Sequence, residues 1–162
     1  MNISNHSIKN TIEKLRAAGF DSSEAPFQGC SEKEIEKLEQ HYRIKLPAAY
    51  KEFLSVMGKD CGNFLLGYDY SYETLFSLTQ GCQNLIAEDS TCNFRLAAND
   101  FVFLSSQGSQ FLFFDTKFGD NPPVQYFLEG AHQAKQKYES FSACLEELAE
   151  GQIECARVRA KA

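Results

Sequence analysis

The sequence has no long hydrophobic run: its longest apolar stretches, FVFL at 101–104 and FLFF at 111–114, fall far short of the roughly 20 residues that cross a bilayer. No membrane-spanning segment is expected. The opening MNISNHSIKNTIEKL has neither the basic n-region nor the apolar core of a signal peptide. A cytoplasmic location is therefore expected, and Asn2 and Asn5, although each heads an N-x-S triplet, are not read as glycosylation sites. Basic residues are also in short supply, 16 against 22 acidic ones, for a net charge of −6 and a pI near 5.1. Nucleic acid is held by clustered Lys and Arg that displace counterions, so no nucleic-acid partner is expected. A basic protein partner is steered favourably by the same charge, which serves plain solubility equally well.

Catalytic and metal signatures are missing too. The six cysteines, Cys30, Cys61, Cys82, Cys92, Cys144 and Cys155, contain no C-x-x-C pair. In a chain without export signals they are expected to stay thiols, with no zinc site and no redox motif; Cys144 reads as a core position. His6, His41 and His132 stand at no metal-ligand or triad-like spacing, and H-E-x-x-H, G-x-S-x-G and the P-loop are all absent. No catalytic residue, metal or cofactor is expected. A hydrolase using a Cys and a His ranks last among the function classes, because such partners can be far apart in sequence.

What is present is a globular composition, 43% hydrophobic and 23% charged over 162 residues, enough for one domain. Ile8, Ile12 and Leu15 recur at helical spacing up to Gly19 and predict a helix over 5–18. Residues 21–29, with Pro26 and Gly29, predict a loop. Ser31 followed by Glu34 is a capping box opening a helix with Ile35, Leu38 and Tyr42 on its apolar face. Pro47 suits the first turn of another, striped by Tyr50, Phe53, Leu54 and Met57 and ended by Gly58. Residues 64–66 predict a short buried strand, continued by an alternating run that puts Tyr68, Tyr70 and Tyr72 on one face. Residues 78–88 predict a helix weakened by Gly81. The two apolar runs around Gly108 predict a hairpin, and 124–128 a further strand entered after Pro122 and Pro123. Ser140 caps a last helix, faced by Phe141, Cys144, Leu145 and Leu148, that Gly151 ends, leaving a mobile basic tail.

Four segments in this order resemble the SUKH superfamily of immunity-protein domains: SEKEIEKLEQHYRIKLPAAYKEFL at 31–54, with its Leu-Pro step between helices; FVFLSSQGSQFLFFDT at 101–116; PVQYFLE; and ESFSACLEEL at 139–148. The resemblance implies a single α+β domain, an antiparallel sheet flanked by N-terminal helices and a closing C-terminal helix. It divides the chain into an N-terminal helix and loop (1–30), a SUKH-like domain (31–150) and a basic C-terminal tail (151–162). It departs from the family at MGKDCGN, where an Asn-Gly-Gly-like turn is usual. It implies a bacterial immunity protein that neutralises a cognate toxin by binding it; the alternative is a regulatory interaction domain in cell-wall synthesis or assembly control.

A binding protein of this kind needs a few anchors on an accessible face. In GYDYSYE, Tyr70 and Tyr72 are candidate partner-binding residues with Asp69 and Glu73; the competing reading packs the rings on the core and leaves the acids to water. Asp115, Asp120 and Glu129, near strand ends, are candidates to meet basic residues of a partner, or else serve turn chemistry. Neither the toxin's chemistry nor the oligomeric state follows from the sequence.

Overall fold

The structure, a computed structural model, describes residues 7–162. His6, Asn2, Asn5 and the first two positions of the predicted 5–18 helix lie outside the described residues. Within them the first helix, α1 (Ile8–Ala17), starts where the Ser7 hydroxyl accepts the Asn10 amide, and buries Ile8, Thr11, Ile12 and Leu15. In α2 (Glu32–Tyr42) the capping box forms in both directions: the Glu34 amide donates to Ser31 Oγ at 3.2 Å and the Ser31 amide to Glu34 Oε2 at 2.8 Å. The helix ends at Arg43 in a left-handed conformation, and Glu39 reaches forward to accept the Leu46 amide at 2.7 Å. That bond ties α2 to α3 (Ala48–Met57), whose N-cap is Pro47.

The predicted loop at 21–29 contains a two-residue strand, β1 (Phe27–Gln28), antiparallel to β2 (Asp60–Cys61). Two residues are too few for periodicity to show. This strap runs across the end of α3, with the Cys30 amide donating to the Leu54 carbonyl at 2.8 Å and the Lys59 amide to the Gln28 carbonyl at 2.9 Å. Gly29 permits the approach, since a Cβ there would lie 1.9 Å from the Ser55 carbonyl oxygen.

The predicted strand at 64–66 is absent: these residues form turns, with Leu65 at φ 59° and Leu66 69% exposed. The three-tyrosine strand is likewise corrected. Only Tyr68 and Asp69 pair, as β3 (Tyr68–Asp69), and Tyr72 already begins α4 (Tyr72–Glu88), so the rings do not share a strand face. Helix α4 starts six residues before the predicted 78 and tolerates Gly81, which is solvent-exposed.

The main sheet follows in the order β3, β4 (Asp100–Ser106), β5 (Gln110–Asp115), β6 (Val124–Leu128) and β7 (Lys135–Tyr138), all antiparallel. Phe113 and Phe114 are neighbours and so point to opposite faces, yet both are buried. Phe114 meets Tyr50 of α3 at 5.3 Å, while Phe94, in the segment before β4, lies 5.9 Å from Phe113 and 5.2 Å from Phe127. The central strands are therefore covered on both sides, which is why they read as unbroken apolar runs. A bulge between Val102 and Leu104 turns Phe103 and Leu104 toward the same helix-covered side, where both line a small closed void with Phe53, Phe141 and Leu145.

The closing helix, α5 (Phe141–Ala160), is capped by Ser140, whose hydroxyl accepts the Ala143 amide at 3.1 Å. It does not stop at Gly151 but continues for nine more residues. Nothing lies within 4 Å of a Cβ built on Gly151, so that glycine costs only its helix propensity, about 1 kcal/mol. Chain order and layers together make a single α+β domain with an antiparallel main sheet.

Candidate protein-binding surface

The candidate residues fall at three places. Asp69, Tyr70, Tyr72 and Glu73 lie in the connection from β3, the first edge strand of the main sheet, into α4. Tyr70 is half-buried, and its hydroxyl accepts the Cys61 amide at 2.7 Å, which fixes β2 to this connection. Burial, followed by the neighbouring Cys61, pushes the Tyr70 phenol well above its ordinary range. Tyr72 stacks edge-on against Phe76 at 5.2 Å, and its amide donates to the Gly58 carbonyl at 2.8 Å. Burial and then the Glu34 carboxylate raise its phenol; Glu34 itself pairs with Lys59 at 2.6 Å. The rings thus do structural work, while Asp69 and Glu73 are exposed.

Leu66, just upstream, is the residue that periodicity misplaced. Leu65 occupies the left-handed region, uncommon for a bulky side chain, and is buried while its amide donates to Gln152 Oε1 of α5 at 3.1 Å. That conformation turns the chain so that Leu65 enters the core and Leu66 faces solvent. Backbone outliers held this firmly cluster at binding sites and switches. The only sequence cue was Gly67, at φ 83°, directly after the Leu pair.

Glu129 stands at the same end of the sheet. Pairing runs Tyr68 to Ser106, Ser106 to Gln110 and Gln110 to Leu128, so this row marks the hairpin end of the sheet, with Glu129 one residue outside it and Asp69, opposite Ser105, one residue inside. The Glu129 amide donates to the Ser109 carbonyl at 2.8 Å and its side chain is exposed, beside Leu128, which is 40% exposed. Apolar Leu66 and Leu128 with acidic Asp69 and Glu129 thus lie at or next to the hairpin end of the sheet, and Glu73 follows in the first turn of α4.

Asp115 and Asp120 are at the opposite end. The Asp115 carboxylate accepts the Lys117 amide at 2.8 Å, and the Asp120 backbone carbonyl accepts the Ala49 amide at 2.9 Å, supplying the cap that Pro47 has no side chain to give α3. Beside them a cleft of about 560 Å³ between the α2–α3 connection and this loop is lined by Arg43, Lys45 and Lys117 as well as Glu36, and Phe118 projects from the loop 67% exposed. Asp100, opposite Asp115 in the ladder, has its carboxyl raised above the ordinary range by burial and by the Asp115 charge, against a lowering bond from the Ala97 amide. The seven candidates therefore do not form one face.

Burial sets the chemistry of four of the six thiols. Cys30, Cys61, Cys82, Cys92 and Cys144 are buried and Cys155 is exposed, all unpaired. Burial pushes the Cys30 thiol up to about 11 and Cys82 to about 12, and raises Cys61 and Cys144 further still, so the thiolate that nucleophilic attack requires is disfavoured. His41 packs edge-on against Tyr42 at 4.7 Å and Phe76 at 5.0 Å. Among the described residues no cluster of three His, Cys, Asp or Glu side chains is arranged to hold a metal ion, and no helix is long and apolar enough to cross a membrane.

The described residues thus form an antiparallel sheet with helices packed on it and many of its polar side chains engaged in capping and turn chemistry. The model of the SMI1 / KNR4 family (SUKH-1) matches residues 29–147, and the chain belongs to that family. The match starts at Gly29, the residue that admits the β1 strap against α3, and ends within α5. No curated protein matches the chain.

Proposed function

We propose that this chain is a cytoplasmic bacterial immunity protein that neutralises a cognate toxin by binding and occluding it. The observation that carries the reading is the family match over 29–147, a family whose domains act through protein–protein interaction in immunity or regulation. The docking face is the hairpin-end rim, with Leu66 as the apolar anchor and Asp69 and Glu73 meeting Lys or Arg of the toxin. An apolar centre edged by charge is the usual anatomy of an interface, and a net charge of −6 favours a basic partner.

The test is affinity capture of the tagged chain from its native cell, followed by identification of stoichiometric partners by mass spectrometry. A toxin domain retained by the wild type, lost with Asp69→Lys/Glu73→Lys, and kept by Asp120→Lys at the far end, is the expected outcome. Retention by all three moves the docking face elsewhere. Capture of an endogenous cell-wall regulator and no toxin replaces immunity by the regulatory reading.

A further inference from the structure

We infer that the end of α5 is a self-association surface, and that two copies of this chain pair through it antiparallel. From Glu154 onward every residue of the helix is exposed, and this segment lies beyond the matched family domain. A helix end of this length without packing is marginal in water. It presents one continuous stripe: Glu150, Glu154, Arg157, Val158 and Lys161 recur at spacings of three and four, and so share a face, while half-buried Ile153 turns to the core. Val158 is 60% exposed. Ala17 and Ala18 at the end of α1, together with Ala156 and Ala160, leave an open groove of about 930 Å³ along the helix.

The charge order identifies the occupant. Along the stripe acids come first and bases last, so a two-fold axis between residues 155 and 156 sets Glu150 against Lys161 and Glu154 against Arg157 of the second copy, with exposed Val158 of each copy beside the seam. Every pair is complementary and each occurs twice, as an isologous contact requires. A parallel arrangement would place like charges together. The contacts made within one copy, Arg157 to Glu154 at 3.5 Å and Lys14 to Glu150 at 3.5 Å, are long and exposed, and worth little in water. This surface lies apart from the rim at Asp69 and stands whether or not a toxin is the partner.

Sedimentation equilibrium of the full chain provides the test. The wild type is expected to dimerise in the micromolar range, as suits a contact this small, and to weaken as salt is raised. Glu150→Lys/Glu154→Lys makes the stripe wholly basic and Arg157→Glu/Lys161→Glu makes it wholly acidic. Each alone is expected to weaken the dimer at least roughly tenfold. An equimolar mixture of the two is expected to restore pairing, which a folding defect would not do. A wild type that stays monomeric at roughly 100 µM, reversed variants that dimerise like the wild type, or a mixture that stays monomeric, would each overturn the inference.

Discussion

Gly29 shows how much one residue decides. With its missing Cβ replaced, the Ser55 carbonyl oxygen would be 1.9 Å away, so Gly29→Ala must push the β1 strap off the end of α3. The expected loss is about 3 kcal/mol, the upper part of the overpacking range, read as a fall in the urea midpoint at unchanged slope. Tyr50 has the opposite prospect. Its ring is fully buried among Phe53, Phe101, Phe114 and Phe141, and its hydroxyl has no hydrogen-bond partner among the described residues. Tyr50→Phe is expected to stabilise the fold by about 1 kcal/mol in the same measurement, and a loss of that size would mean the hydroxyl is satisfied. Asp100 gives a pH effect with a definite sign. Its carboxyl is raised by burial and by Asp115, so folding favours the protonated form. The stability this contributes is complete below the ordinary value of 3.8 and is lost as pH rises through the raised value. Asp21 and Glu34, held low by the Phe27 amide and by Lys59, act in the reverse sense and lose their contribution as the solution is acidified. Asp115→Asn keeps an acceptor for the Lys117 amide while removing the charge, and should lower the Asp100 pKa in an NMR titration; an unchanged value would assign the shift to burial alone.

At the scale of elements, what the sequence made legible depended on whether a pattern had a single cause. The Ser31–Glu34 box, the Pro47 entry to α3 and the hairpin around Gly108 were readable because capping and turn chemistry act locally. The tyrosine run was not, because alternation at Tyr68, Tyr70 and Tyr72 arises across a strand end, a connection and a helix start. Strand β7 was unread since Lys135, Gln136 and Lys137 are exposed and only Tyr138 is buried; lysines are what guard an edge strand. Helix α5 outran Gly151 because an exposed glycine only lowers propensity, whereas Ala, Glu and Arg on either side raise it. Of the candidate site, the acids on the rim were legible as exposed charge, but their separation from Asp115 and Asp120 depends on strand pairing, which no single-strand pattern carries.

For the whole molecule, the same division recurs between what holds the domain together and what it leaves outside. The core needs Tyr50, the phenylalanines of β4 and β5, and Phe141, and these sit within the matched family region. The segment with Leu66, Asp69 and Glu73 and the overhang of α5 contribute little to that core, and the two proposals place a toxin on the first and a second copy on the second. The measurement that tests the central claim most directly is growth protection. Cells expressing the captured toxin domain are scored with the wild-type chain and with Asp69→Lys/Glu73→Lys. Survival with the wild type, and its loss with a variant that is still folded, is the predicted result; death in both cases, with the toxin and chain co-expressed and soluble, would contradict it.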